Sequence, residues 1–113
     1  MPYEVGGKTI EADANGYLVN LDDWSKEVAE AIAASEEVTL SERAWEIIDY
    51  LREEYFTNNG NQPNERNMVK HFKSAWGDSS LNAKSLYEHF PRGPAKQASK
   101  IAGLPETKRK AGY

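Results

Sequence analysis

One long amphipathic segment constrains the fold more than any other feature of this sequence. Between residues 40 and 55, apolar side chains recur at spacings of three and four, which is the pattern of one buried helix face. Thr39 and Glu42 have the spacing of a capping box, and the Asn-Asn-Gly run at 58–60 favours a helix end. We therefore predict a central core helix that buries Trp45, Ile48 and Leu51.

Shorter periodic segments lie on both sides of this helix. They predict further helices near residues 24–32, 64–76, 81–90 and 94–102. Asp22 or Asp23 is the predicted N-cap of the helix at 24–32, and Ser79 or Ser80 is the predicted N-cap of the helix at 81–90. Two short apolar runs around Gly6-Gly7 predict a β-hairpin. The predicted fold class is α+β: a small N-terminal β-hairpin element on an orthogonal helical bundle. The bundle contains a helix-turn-helix-like segment, and a flexible C-terminal arm follows it.

Length and composition indicate a single domain. The chain has 113 residues, 39% of them hydrophobic, which is too apolar for a disordered protein. We predict one domain over 1–103 and a mobile tail over 104–113, since the tail is polar and carries a basic cluster. Long apolar runs and a secretory leader pattern are both missing from the sequence, so we expect a cytoplasmic protein with no membrane partner.

Charge is distributed unevenly along the chain. Residues 1–91 hold 8 Lys/Arg and 17 Asp/Glu, a balance of −9, whereas residues 92–113 hold 6 Lys/Arg and 1 Asp/Glu, a balance of +5. A basic end on an acidic body indicates binding to an acidic surface of a partner, and a solvated tail is the open alternative. The predicted partner-binding residues are Arg92, Lys96, Lys100, Lys108, Arg109 and Lys110.

Sequence motifs give little support to a catalytic site. His71 and His89 are the only histidines, and phosphate-binding glycine loops are not found, so we expect no metal, no cofactor and no enzymatic activity. The helix-turn-helix-like segment 64–90 suggests a second function, binding of DNA. The basic residues available for nucleic-acid contacts are Arg66, Lys70, Lys73 and Lys84.

Four segments together resemble the DsrC/TusE family of sulfur-relay proteins. They are the Gly-Tyr-Leu turn within 12–18, the helix 47–55, the Leu-Tyr-x-x-Phe-Pro-x-Gly-Pro junction at 86–94 and the arm 93–105. The resemblance spans nearly the whole chain. It implies the fold predicted above and a role connected with sulfur relay.

The sequence departs from that family where the reactive groups are expected. The resemblance implies sulfur-carrying cysteines in the arm, but an ungapped alignment places Ser99 and Lys110 at those positions, and the chain has no cysteine. Persulfide chemistry needs a thiolate. We therefore expect a non-catalytic binding or regulatory paralogue that docks on a protein partner through its arm without carrying sulfur. The alternatives are a DNA-binding regulator and a sulfur-relay component linked to sulfite reductase or tRNA thiolation by family membership alone.

Overall fold

A computed structural model describes residues 2–106. It begins with a two-stranded antiparallel hairpin, β1 (Tyr3–Val5) and β2 (Lys8–Ile10), in which Tyr3 lies opposite Ile10. Gly6 and Gly7 form the turn with φ angles of +55° and +82°, a region that favours glycine. The predicted β-hairpin element is therefore confirmed.

Five α-helices follow the hairpin within the described residues. Their bounds are α1 Lys26–Ser35, α2 Glu42–Thr57, α3 Glu65–Ala75, α4 Ala83–Tyr87 and α5 Pro94–Ile101, with a short 3-10 helix at Leu21–Asp23 before α1. The α+β fold class is confirmed. None of these helices is both long and apolar enough to cross a membrane. The cytoplasmic location stays a prediction.

Several helix starts differ from the predicted ones by a few residues. Ser41 caps α2, accepting a hydrogen bond from the Ala44 amide at 3.2 Å, so the predicted box beginning at Thr39 is wrong. Ser25 caps α1 and Asn82 caps α4. Each true cap is a small polar residue two positions after the last predicted candidate, because several such residues lie close together and packing selects among them.

The predicted buried face of α2 forms the centre of the core. Ile47, Ile48 and Leu51 are at most 1% exposed, whereas Trp45 is only half-buried and packs at the edge. Both α1 and α2 pack against α5. Helix α5 therefore closes the core and is held between two other elements.

The chain continues from α5 along the protein body. Leu104, the first residue of the predicted tail, is 1% exposed and belongs to the hydrophobic core. The side-chain amide of Gln62 donates to the Pro105 carbonyl at 2.8 Å. The boundary after Gly103 stays a prediction, but residues 104–106 contact the body, and the tail's basic cluster lies outside the described residues.

Candidate functional site

Helix α5 carries the residues that the sequence singled out. Pro94 occupies its first turn, where a missing amide hydrogen costs nothing, and Gly93 precedes it with a φ of +116°. Its inner face buries Gln97, Ala98 and Ile101. Its other face is basic, so α5 joins the core to a charged surface.

A polar cleft of about 260 Å³ lies along this charged side of α5. We call it the α5 cleft; its lining residues are Asn15, Tyr17, Glu36, Arg92, Lys96, Gln97, Lys100 and Glu106. The structure thus brings together Arg92, Lys96 and Lys100, three of the predicted partner-binding residues. Their role in binding stays a prediction.

Glu36 is the centre of a hydrogen-bond network at the floor of the α5 cleft. Its carboxylate accepts from the Gln97 amide at 3.0 Å and from Lys100 Nζ at 3.3 Å. Gln97, only 3% exposed, also accepts from the Arg92 backbone amide at 3.1 Å. Burial alone raises the pKa of Glu36, but the Gln97 hydrogen bond and the charges of Lys100 and Arg92 outweigh it, and the net pKa is lowered.

Tyr17 forms the wall of the cleft beneath Lys100. The Lys100 ammonium lies 5.4 Å from the Tyr17 ring centre, within the range of a cation–π contact. Burial raises the pKa of Tyr17 to about 12, and the neighbouring carboxylates of Glu106, Asp13 and Glu36 add to the shift. Tyr17 therefore stays neutral at physiological pH and is not a general base.

The C-terminal end of α5 is held by apolar packing and capped carbonyls. The Trp24 indole donates to the Ile101 carbonyl at 2.9 Å, and Arg52 donates to the Ala102 carbonyl at 2.7 Å. The Arg52 guanidinium also lies 3.8 Å from the Trp24 ring centre. Gly103 fits beneath this indole, where a Cβ atom would overlap the ring. These contacts fix the path of the chain as it leaves α5.

The two positions expected to match family cysteines lie in different situations. Ser99 is on the inner side of α5 and is 1% exposed. Its hydroxyl therefore has no access to a partner while α5 is packed. Lys110 lies outside the described residues, as do Lys108 and Arg109.

The predicted nucleic-acid contacts lie away from the α5 cleft. Arg66, Lys70 and Lys73 are exposed on α3, and Lys84 is exposed on α4. Helix α4 has only five residues, so it is much shorter than the recognition helix that the sequence suggested.

The sequence analysis missed several residues that line the α5 cleft. Glu36, Asn15 and Glu106 come from distant parts of the chain, and nothing local marks them. Gln97 did carry a signal, because it is a polar residue on the inward face of α5. A buried amide at such a position needs partners, which indicates a polar network beneath it.

Comparison with known proteins places the whole chain in one family. The family model described as "DsrC like protein" matches residues 4–109. The protein named Sulfurtransferase TusE from Photorhabdus laumondii is 47% identical over 100 residues, covering 88% of this chain and 89% of that protein.

Solved structures agree with that assignment. The NMR structure of Allochromatium vinosum DsrC has a TM-score of 0.85 and 40% identity, covering 98% of this chain and all of that one. The oxidized gamma-subunit of the dissimilatory sulfite reductase (DsrC) from Archaeoglobus fulgidus also has a TM-score of 0.85, at 36% identity and the same coverage.

These comparisons correct two functional expectations. The non-catalytic, regulatory role and the absence of enzymatic activity are wrong as predictions, because relatives that span most of the chain are named sulfurtransferases. The DNA-binding alternative through residues 64–90 is wrong for the same reason, and nucleic acid has no support as a partner. The resemblance drawn from the sequence is confirmed: the chain belongs to the DsrC-like protein family.

Proposed function

We propose that this protein works in sulfur relay, in a complex with protein partners. The observation that carries the proposal is its 47% identity, over 88% of its length, to a protein named as a sulfurtransferase. Similarity to the gamma-subunit of the dissimilatory sulfite reductase from Archaeoglobus fulgidus supports the presence of partners.

The chemistry of the transfer step defines the part that this chain takes. In persulfide transfer, a thiolate attacks the outer sulfur of a persulfide, a new sulfur–sulfur bond forms, and the donor leaves as a thiolate. This sequence contains no cysteine. The thiolates of this step therefore belong to other members of the relay, and relatives named as sulfurtransferases support a part for this chain in the same relay.

A labelling experiment in the native cell tests the proposal. Cells are given radiolabelled cysteine, and the rate at which reducible label appears on proteins is measured with the gene present and with the gene deleted. We expect the deletion to lower the rate at which reducible label reaches the acceptor proteins of the relay. An unchanged rate in the deletion strain would refute a role in sulfur relay.

A thiol-bearing variant provides the matched comparison. In the deletion strain, Lys110→Cys restores a thiol at the position that the family resemblance marks for the near-terminal cysteine. We expect the natural chain to restore transfer without becoming labelled, and the variant to restore transfer and also carry label. Recovery with neither chain would contradict a part in the relay.

A further inference from the structure

The α5 cleft carries three cations and two carboxylates among its lining residues, so it has a net positive charge. Arg92, Lys96 and Lys100 follow one another at intervals of four residues and line one cleft, so they repel one another. Among residues 2–106, the ion pair found in this cleft joins Lys100 to Glu36. Within the described residues neither Arg92 nor Lys96 forms a salt bridge, although the charge of Arg92 acts on Glu36.

The carboxylates near these cations already have other partners. Glu36 is held by Gln97 and Lys100, and its side chain is only 14% exposed. Glu106 accepts a hydrogen bond from the Asn15 amide at 3.0 Å on the far rim. Neither carboxylate is hydrogen-bonded to the side chains of Arg92 or Lys96, so both cations are available to an incoming anion.

The floor of the cleft fixes where these cations stand. Gln97 accepts from the Arg92 backbone and donates to Glu36, which ties the chain before α5 to the end of α1. Lys96 lies on the first turn of α5, next to Gln97. The backbone positions of both cations are thus set before any ligand binds, which lowers the entropy cost of binding.

We propose that the α5 cleft binds acidic side chains of a partner protein, with Arg92 and Lys96 donating hydrogen bonds to their carboxylates. A cleft of about 260 Å³ has room for one or two carboxylate side chains. Glu36 and Glu106 also face it, so repulsion grows with the charge of the incoming anion, and one or two carboxylates beside Arg92 and Lys96 meet less of it than a continuous row of phosphates does. The nature of the partner, a protein, rests on the proposed function.

Binding is tested with a capped peptide that carries two glutamates separated by glycines as the probe. The full chain is labelled with nitrogen-15, and amide chemical shifts are followed as the peptide is added. We expect saturable shifts at the amides of residues 92 and 95–97, which weaken as salt is raised because exposed charges are screened. A capped glutamine peptide should give no such shifts.

Two double variants with the same charge change separate the cleft from general electrostatics. Arg92→Gln with Lys96→Gln removes the proposed cations, and Lys70→Gln with Lys73→Gln removes two exposed cations on α3. We expect the first pair to raise the peptide Kd at least about tenfold, equivalent to about 1.4 kcal/mol, and the second to leave it nearly unchanged. Equal losses in both would refute the proposal.

The other outcomes are equally decisive. Absence of saturable shifts at residues 92–97, or tighter binding of a short single-stranded RNA than of the glutamate peptide, would overturn the assignment. Peptide binding does not depend on sulfur transfer. Cleft binding that persists while the labelling experiment fails would sink the sulfur-relay proposal and leave the acidic-partner site standing.

Discussion

The two ends of helix α5 are built for different tasks. At the C-terminal end, Ile101, Ala102 and Leu104 are fully buried, and Trp24 and Arg52 cap the carbonyls. At the N-terminal end, Arg92 and Lys96 line the open polar cleft, which runs along the helix as far as Lys100. Because one rigid helix joins them, the packing at one end positions the charges at the other. We therefore expect stability and partner binding to respond to different substitutions within a few residues of each other.

Truncation of Leu104 should give the largest effect on stability. Leu104→Ala removes a side chain that is 1% exposed and leaves a cavity, so we expect a loss of about 2–5 kcal/mol in the free energy of unfolding. Lys96→Ala, at the other end, should change it by no more than about 0.5 kcal/mol. Chemical denaturation measures both. Similar losses for the two would remove the contrast between the ends.

Gly103→Ala tests how tightly the Trp24 indole packs against the C-terminal end of α5. Its φ is +73°, and an added Cβ would overlap the Trp24 indole. We expect Gly103→Ala to cost about 1 kcal/mol for the backbone conformation and a further ~1–3 kcal/mol for the overlap. Thermal unfolding, together with the near-ultraviolet circular dichroism of the tryptophans, measures the change.

Gly77 is the matched control for this substitution. It also has a positive φ, +59°, but an added Cβ would meet no atom within 4 Å. Gly77→Ala should therefore show the backbone cost alone. If the two variants are equally destabilised, the contact with Trp24 contributes nothing, and the C-terminal end of α5 is looser than described.

The sequence allowed the apolar face of α2 to be predicted far better than the polar cleft beside α5. Ile48 and Leu51 were identified on α2 because helical periodicity is local, and the Gly-Pro start of α5 is equally visible in the sequence. The α5 cleft was not, because Asn15, Glu36 and Glu106 meet there only through tertiary packing. Basic residues were predicted as a group, but their carboxylate neighbours were not.

Caps and function show two other limits of local patterns. The sequence predicts a cap at Thr39, whereas Ser41 caps α2, because both residue types fit an N-cap and the packing of the whole segment decides between them. From the missing thiol, the sequence analysis predicts a non-catalytic role. Residue chemistry describes what one chain can do alone, whereas a relay is a property of an assembly, and relatives spanning the chain supplied that information.

The smallest expected effect concerns acid stability at the polar end of α5. The pKa of Glu36 is lowered from its ordinary value of 4.5, since Gln97, Lys100 and Arg92 outweigh its burial. A carboxyl whose pKa is lower in the folded state stabilises the fold above its unfolded pKa, and this contribution is lost as pH falls through the folded pKa.

The natural chain should therefore exceed Glu36→Gln in stability at pH 7 by no more than about 1 kcal/mol, and the difference should shrink below about pH 4.5. Glu30→Gln, at an exposed position on α1, is the control for the loss of a negative charge. Denaturation midpoints across this pH range measure both variants. A constant gap for Glu36→Gln would mean that the residue acts through packing, and the network linking Glu36 to α5 would then have no electrostatic part in holding the cleft together.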